Sequence, residues 1–271
     1  MSYLENLFSV RGKCALVTGG ATGIGRMIAE GLMGGGASVI IASRKGEVCE
    51  ETAAELNALG LPGAAEGVAG DVSTEEGVAA LVAAVSSRVD RLDILVNNAG
   101  ATWGEPLEDF PYKAWKRVLD VNVTGLFHLT RELLPLLEAA ASDEDPARVI
   151  NLGSVMGTQP VAEGAYSYTA SKAAVHHLTR TLAIEFARRR ITVNAFAPGP
   201  FRSKMTAFAT GTDDQARWVG SRVPLGRIGA PDDAAGAALY LCSRAGAYVT
   251  GAIIPMDGGQ SVQHGVGLFA E

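Results

Sequence analysis

Short apolar runs alternate with longer segments of helical periodicity along the chain. Seven runs read as strands: Cys14–Thr18, Ser38–Ala42, Gly63–Val68, Ile94–Asn97, Val149–Leu152, Thr192–Ala197 and Ala252–Pro255. Most are bounded by Gly, Asn or Pro and are rich in Val, Ile and Ala. Between them the pattern predicts helices near Ile24–Met33, Val48–Leu59, Glu75–Arg88, Lys113–Ala140, Tyr168–Arg188 and Pro231–Ser243. Such alternation predicts an α/β fold: a doubly wound parallel sheet of about seven strands with helices on both faces. No repeat, linker or low-complexity segment interrupts it, so residues 1–271 read as one domain. The acidic stretch Ser142–Asp145 before Pro146 reads as a solvated loop. In such sheets ligands collect at the C-terminal ends of strands, near the point where strand order reverses.

Composition narrows the class. With 48% hydrophobic and 19% charged residues the chain can build a substantial core, which excludes a disordered protein. The net charge of −6 is spread over interleaved acids and bases, so no basic stripe invites nucleic acid or an anionic membrane. The triplet Arg188–Arg190 reads as the cationic end of a helix. Cys14, Cys49 and Cys242 form neither a disulfide framework nor a metal spacing, and the adjacent His176 and His177 point in different directions on a helix. No metal is expected. Met1–Val10 carries Glu5 and lacks an apolar run, and no stretch is long enough to span a bilayer. A cytoplasmic location is the expectation.

Two strand ends carry nucleotide-like signals. The first strand runs into Thr18-Gly19-Gly20-Ala21-Thr22-Gly23-Ile24-Gly25 and then a helix. Gly19, Gly23 and Gly25 let the backbone approach a ligand, and the helix start offers free N–H groups to a diphosphate. The second strand ends in Ser43-Arg44-Lys45. An NAD site places a carboxylate here for the ribose hydroxyls, whereas an NADP site wants a cation for the 2′-phosphate. Ser43 stands at the carboxylate position and Arg44 follows it. NADP(H) is therefore the expected cofactor, ahead of NAD(H).

Tyr168 and Lys172 stand four apart at a helix start and so share a face. A phenol near pKa ~10 works poorly at neutral pH; lowering it by ~3 units requires roughly 4 kcal/mol, which a neighbouring ammonium supplies. Ser154, just after the fifth strand, is placed to hydrogen-bond a carbonyl oxygen as charge develops on it. Asn122 is an unusual amide within a predicted helix, suited to holding a water that links Lys172 to solvent. Each residue alone also fits a plain role: a core aromatic, a solvated lysine, a turn former. Tyr166 has no lysine at the same spacing and reads as packing or pocket wall.

In joint order and spacing these elements resemble the short-chain dehydrogenase/reductase family over nearly the whole chain. The matching pieces are Thr18–Gly25, Asp71-Val72, Asn97-Asn98-Ala99-Gly100, Asn122, Ser154, Tyr168 with Lys172, and Pro198-Gly199. The resemblance implies a Rossmann-type fold and a catalytic set of Asn122, Ser154, Tyr168 and Lys172. Tyr168 would be the general acid in reduction and the base in oxidation. Ser154 would polarise the carbonyl, Lys172 would hold the nicotinamide ribose and lower the tyrosine pKa, and Asn122 would anchor a relay water. It likewise assigns Asp71 and Val72 to adenine, Asn98, Ala99 and Gly100 to the floor of the cofactor site, and Pro198, Gly199, Phe201 and Ser203 to the nicotinamide amide. The remaining cofactor contacts would be Gly19, Thr22, Gly23, Ile24, Gly25, Ser43 and Arg44, with Tyr168 and Lys172.

Two departures qualify the match. NADP users in the family often carry a base in the glycine loop, where this chain has Thr22. The interval from Ser154 to Tyr168 is one residue longer than usual, consistent with an insertion at Val161–Gly164. Trp103, Met156, Tyr166 and the segment Phe201–Val223 are the expected substrate wall, mostly apolar, within a substrate loop of about residues 199–223. The implied activity is NADP(H)-dependent carbonyl reduction or alcohol oxidation on a small molecule, with 3-oxoacyl thioesters or other hydrophobic ketones as substrates. Sugar, polyol or steroid dehydrogenation is the alternative, and cofactor binding without turnover a distant one. A homotetramer is expected from the family, with a homodimer as the alternative, and the tail Leu268–Glu271 could reach a neighbouring subunit.

Overall fold

The structure, a computed structural model, describes residues 2–160 and 163–263. Its elements run α1 (Tyr3–Phe8), β1 (Cys14–Thr18), α2 (Gly23–Gly34), β2 (Ser38–Ser43), α3 (Gly46–Ala58), β3 (Ala64–Ala69), α4 (Glu75–Ser86), β4 (Ile94–Asn97), α5 (Tyr112–Leu119), α6 (Leu126–Glu132), α7 (Leu134–Ala140), β5 (Ala147–Leu152), α8 (Tyr166–Ala187), β6 (Ile191–Pro198), α9 (Ala207–Thr210), α10 (Asp213–Gly220), α11 (Pro231–Cys242) and β7 (Ile253–Met256). The strands form one parallel sheet in the order β3-β2-β1-β4-β5-β6-β7. Because side chains alternate along a strand, each strand feeds two cores. Ala15 and Val17 join Ile28, Leu32, Leu56 and Leu241 beneath α2, α3 and α11. Leu16 joins Leu81, Leu129, Leu137, Leu182 and Phe186 beneath α4, α6, α7 and α8. The order reverses between β1 and β4, so the glycine loop after β1 and Asn98–Gly100 after β4 meet at one edge of the crevice.

The strands and most helices lie within a residue or two of the positions predicted. Four features differ. The helix expected over Lys113–Ala140 is broken into α5, a π-helical turn at Asp120–Gly125, α6 and α7. Pro135 lies at the start of α7, where its ring lacks an N–H and would clash with the carbonyl four residues back, so the helix restarts after Leu133. The amino-terminal segment forms α1, capped reciprocally by Ser2 and Glu5. Within the expected substrate loop of about residues 199–223, α9 and α10 are helical, the latter opened by a Thr212–Gln215 capping box.

The acidic loop before β5 is also more than solvated. Arg148 is fully buried, and its guanidinium reaches Asp145 at 2.9 Å, the Leu241 and Ser243 carbonyls at 3.0 Å each, and the Pro146 carbonyl. Asp145 also binds Lys13 at 2.6 Å, and Asp143 pairs with Arg190. A buried guanidinium without a carboxylate would be costly, which is why this loop is acidic. Arg189 pairs with Glu138 at 2.7 Å, so the arginine triplet ties the end of α8 to α7 and this loop.

Candidate active site

The glycine loop is shaped by contact across the crevice. Gly19 and Gly23 adopt left-handed backbone angles, φ +65° and +56°, which favour glycine. A methyl group on Gly25 would lie 2.4 Å from Asn98 Nδ2 and 2.5 Å from the Gly19 carbonyl. Asn98 braces the loop by donating from Nδ2 to the Thr18 and Gly19 carbonyls at 2.9 and 3.1 Å. The Thr18 hydroxyl accepts the amides of Asn98 and Ala99, both at 3.0 Å. Thr22 precedes α2, but its hydroxyl caps nothing, and Arg26 is the first residue whose amide bonds back, to the Thr22 carbonyl. The amides of Gly23, Ile24 and Gly25 therefore point out of the helix start, as a bound diphosphate requires. Ser203 packs directly against Gly23 and thereby brings the substrate segment onto this loop.

At the next strand ends, Arg44 and Asp71 face each other. Burial would raise the Asp71 carboxyl, but hydrogen bonds from the Ser73 hydroxyl and amide, at 2.7 and 2.9 Å, and the Arg44 charge hold it below its ordinary value. Arg44 is exposed and has no ion pair among the described residues. Ser43 stands where an NAD-selective carboxylate would be, and its hydroxyl is taken up by Cys49 and Lys45. This edge offers a free guanidinium and no carboxylate at the end of β2, which fits a phosphorylated ribose. Val72 is buried, with its carbonyl against Gly125 of the π-helical turn.

The four residues of the expected catalytic set come together beyond β4 and β5. Asn122 sits in the π-helical turn, a geometry that often marks functional positions. Its Oδ1 accepts the Ala101 amide at 2.7 Å, and its Nδ2 donates to the Ala101 carbonyl and Ser171 Oγ, both at 2.9 Å. Both amide hydrogens are thus used, leaving a relay water at most a lone pair of that side chain. Gly100 lies against both Asn122 Oδ1 and Lys172 Nζ, without a side chain between them. On α8, Lys172 is buried, its Nζ 5.5 Å from the centre of the Tyr168 ring and donating to the Leu152 carbonyl at 2.6 Å.

Burial shifts both ionisable side chains of the set. Burial pushes the Tyr168 phenol above its ordinary value, offset in part by a hydrogen bond from the Ser154 hydroxyl. Burial lowers the lysine itself to about 8, and its ammonium is turned to the Leu152 carbonyl. Desolvation disfavours the charged form of each group, the phenolate and the ammonium.

Pro198 closes β6, and Gly199 follows with its amide on the Met256 carbonyl at 3.0 Å. Phe201 points its ring into the core against Gly229, so only its backbone is left to face a ligand. A cavity of about 1080 Å³ opens beside the site, lined by Leu107, Phe110, Trp115, Met156 and Tyr166 among others. Neither Tyr168 nor Ser154 lines it. Trp103 and the segment Phe201–Val223 do not line it either; Trp103 stacks instead with Lys113 and Arg117 at 5.7 and 5.6 Å. Val161 and Ala162, in the inserted stretch, and the tail Leu268–Glu271 lie outside the described residues. Two residues given no role from sequence stand in the site. Ser171, one turn beyond Tyr168, links the Tyr168 carbonyl to Asn122, and His176, one turn beyond Lys172, contacts Ser154. Their helical spacing from Tyr168 and Lys172 was the available signal.

A family model described as enoyl-(acyl carrier protein) reductase matches residues 19–261. The chain belongs to the short-chain dehydrogenase/reductase family. The rhamnolipids biosynthesis 3-oxoacyl-[acyl-carrier-protein] reductase of Pseudomonas aeruginosa is 46% identical, over 93% of this chain and 97% of its own length. The segments Ala101-Thr102-Trp103-Gly104, Pro146–Gly153, Ala165–Ala174 and Gly246–Gly259 by themselves suggest a likeness to that enzyme. A gluconate 5-dehydrogenase of Gluconobacter oxydans is 34% identical over 95% and 98% of the two chains. Among solved structures, the Pseudomonas aeruginosa RhlG/NADP active-site complex superposes with a TM-score of 0.89 at 46% identity, covering 94% of this chain and 99% of that one. Membership makes the chain an oxidoreductase acting between alcohols and carbonyls. No helix among the described residues is long and apolar enough to cross a membrane, and none of their His, Cys, Asp and Glu side chains form a group of three able to hold a metal.

Proposed function

We propose that this short-chain reductase uses NADP(H) to reduce 3-oxoacyl thioesters or similar hydrophobic ketones to the hydroxy compounds. The observation that carries the reading is the assembly of Tyr168, Lys172, Ser154 and Asn122 around one point, with Arg44 exposed at the end of β2. The glycine loop with Asn98 would hold the diphosphate, Arg44 the 2′-phosphate, Asp71 and Val72 the adenine, and Lys172 the nicotinamide ribose. NADPH, when bound, supplies the hydride that reduces the carbonyl carbon. Ser154 donates a hydrogen bond to the carbonyl oxygen, and Tyr168 delivers the proton that oxygen gains. Lys172 lies close enough to the phenol to favour phenolate once that proton has gone, and Asn122 fixes the backbone of Ala101, in the loop after β4, beside them.

The apolar lining of the neighbouring cavity favours a hydrophobic substrate, with Met156 and Tyr166 bridging it to Ser154 and Tyr168 in sequence. The gluconate dehydrogenase relative supports a second reading, oxidation of a sugar acid or polyol. We further infer one domain over residues 1–271, with about 199–223 facing substrate, and a homotetramer. Exposed Tyr112, Trp115, Phe127 and Ile184 on α5, α6 and α8 offer apolar contacts for the assembly, which sedimentation would measure. Three free thiols, with Cys14 and Cys242 pushed up to about 11 and about 12 by burial, suit a cytoplasmic, reducing setting. Nicotinamide absorbance should be followed with NADPH and with NADH against a 3-oxoacyl thioester, an aromatic ketone, a keto-sugar and a ketosteroid. NADPH-selective loss with the thioester is the expected result. Preference for the keto-sugar would install the second reading, and tight NADPH binding without loss on any ketone would overturn both.

A further inference from the structure

We propose that His176 is a positioning residue that sets where the Ser154 hydroxyl stands; the proposal rests on the reading of Ser154 as the group that holds the carbonyl oxygen. His176 lies one turn beyond Lys172 on α8 and is 4% exposed. Its ring fills a slot between two glycines. A methyl group on Gly153 would fall 2.2 Å from Nε2, and one on Gly157 would fall 2.7 Å from Cε1. Across the slot, Nε2 accepts the backbone N–H of Ser154 at 3.4 Å, and Nδ1 is 3.4 Å from Thr158 Oγ1. Ser154 and Thr158 flank the short 3₁₀ turn Val155–Gly157, so one imidazole holds both ends of the turn. Within it, Ser154 Oγ accepts the Met156 amide at 3.2 Å. The serine is therefore fixed from two sides, through its amide by the ring and through its hydroxyl by the turn.

Acceptance at Nε2 requires the proton on Nδ1, where it points to the Thr158 hydroxyl. The charged groups bearing on the ring are Lys172 and Arg180, one turn before and after it, and both oppose a second proton. The partners on the 3₁₀ turn are uncharged. Together with burial these lower the imidazole to about 4, so the accepting tautomer persists at neutral pH. Without the ring, the Ser154 amide would be buried and unpaired, and the turn would relax. A displacement of about 1 Å at a reacting group is enough to lose about 10²-fold in rate.

The test uses His176→Leu, which removes the acceptor, and His176→Gln, whose Oε1 can replace it. With a reducible ketone, His176→Leu should lower kcat about tenfold to hundredfold. Its NADPH dissociation constant should stay within about twofold of the parent, whereas His176→Gln should regain most of the lost turnover. In a Ser154→Ala background, His176→Leu should have no further effect on kcat. Nitrogen-15 NMR of the parent should show the Nδ1-protonated tautomer at neutral pH, a reading that does not depend on any variant folding. Parental turnover in His176→Leu with turnover lost in Ser154→Ala would overturn the His176 proposal alone. So would an Nε2-protonated ring, or Gln and Leu variants equally impaired. Parental turnover in Ser154→Ala would overturn the reading of Ser154, and this proposal with it.

Discussion

Replacing Lys172 by Met should make the folded chain more stable while abolishing its turnover. Lys172 is 5% exposed, and burial lowers its ammonium from 10.5 to about 8. That fall corresponds to roughly 3 kcal/mol against the charged form. The unfolded chain keeps this proton up to 10.5 and the folded chain only up to about 8. Folding is therefore penalised at every pH below 8, and the penalty fades between 8 and 10.5. Methionine fills similar space with no charge to desolvate. The variant loses one hydrogen bond, from Nζ to the Leu152 carbonyl at 2.6 Å, and leaving that carbonyl unpaired costs about 1–3 kcal/mol. The net is a gain of order 1 kcal/mol, or a rise in Tm of about 2–4 °C for a chain of this size. Calorimetry without cofactor at pH 7 and at pH 9.5 measures it, and the advantage should shrink at the higher pH as the parent sheds its proton. Turnover should fall at least about 10²-fold. A Tm below the parent's at pH 7, or a difference that ignores pH, would refute the claim that a buried ammonium strains the fold.

Arg44→Ala should raise KM for NADPH about tenfold to hundredfold and leave NADH nearly unchanged, because only a phosphorylated ribose loses a charge-assisted contact; parallel steady-state assays read the ratio. Gly25→Ala should weaken NADPH binding at least about tenfold and destabilise the loop by about 1–3 kcal/mol, since the new methyl group meets Asn98 and the Gly19 carbonyl; fluorescence titration and thermal melting check the two parts. Arg148→Met should destabilise the fold by about 3–5 kcal/mol, because it strips Asp145 and the Leu241 and Ser243 carbonyls of a buried partner. Denaturant unfolding would measure that loss, and an unchanged midpoint would show these groups find water instead.

Local pattern determined the elements and the candidate residues of this protein. Apolar runs such as Cys14–Thr18 and Val149–Leu152 are short and bounded by turn formers, so they have few alternatives to being buried strands. The glycine loop, Ser43-Arg44 and the Tyr168–Lys172 pair were legible because their chemistry depends on spacing within one turn or one strand end. Contacts that cross elements were not. The break in the Lys113–Ala140 helix depends on a π-helical turn that seats Asn122 against Ala101 and Ser171, and no local periodicity encodes that contact. Asp145 read as solvent-facing because its partners, Lys13 and Arg148, come from other points of the chain. Phe201 read as a cofactor contact, and only the packed structure shows that Gly229 opens a slot for its ring in the core, leaving the Phe201 backbone for that role. The setting of the tyrosine is likewise a tertiary matter: spacing places an ammonium near the phenol, but only the packed structure shows how far burial removes both groups from water.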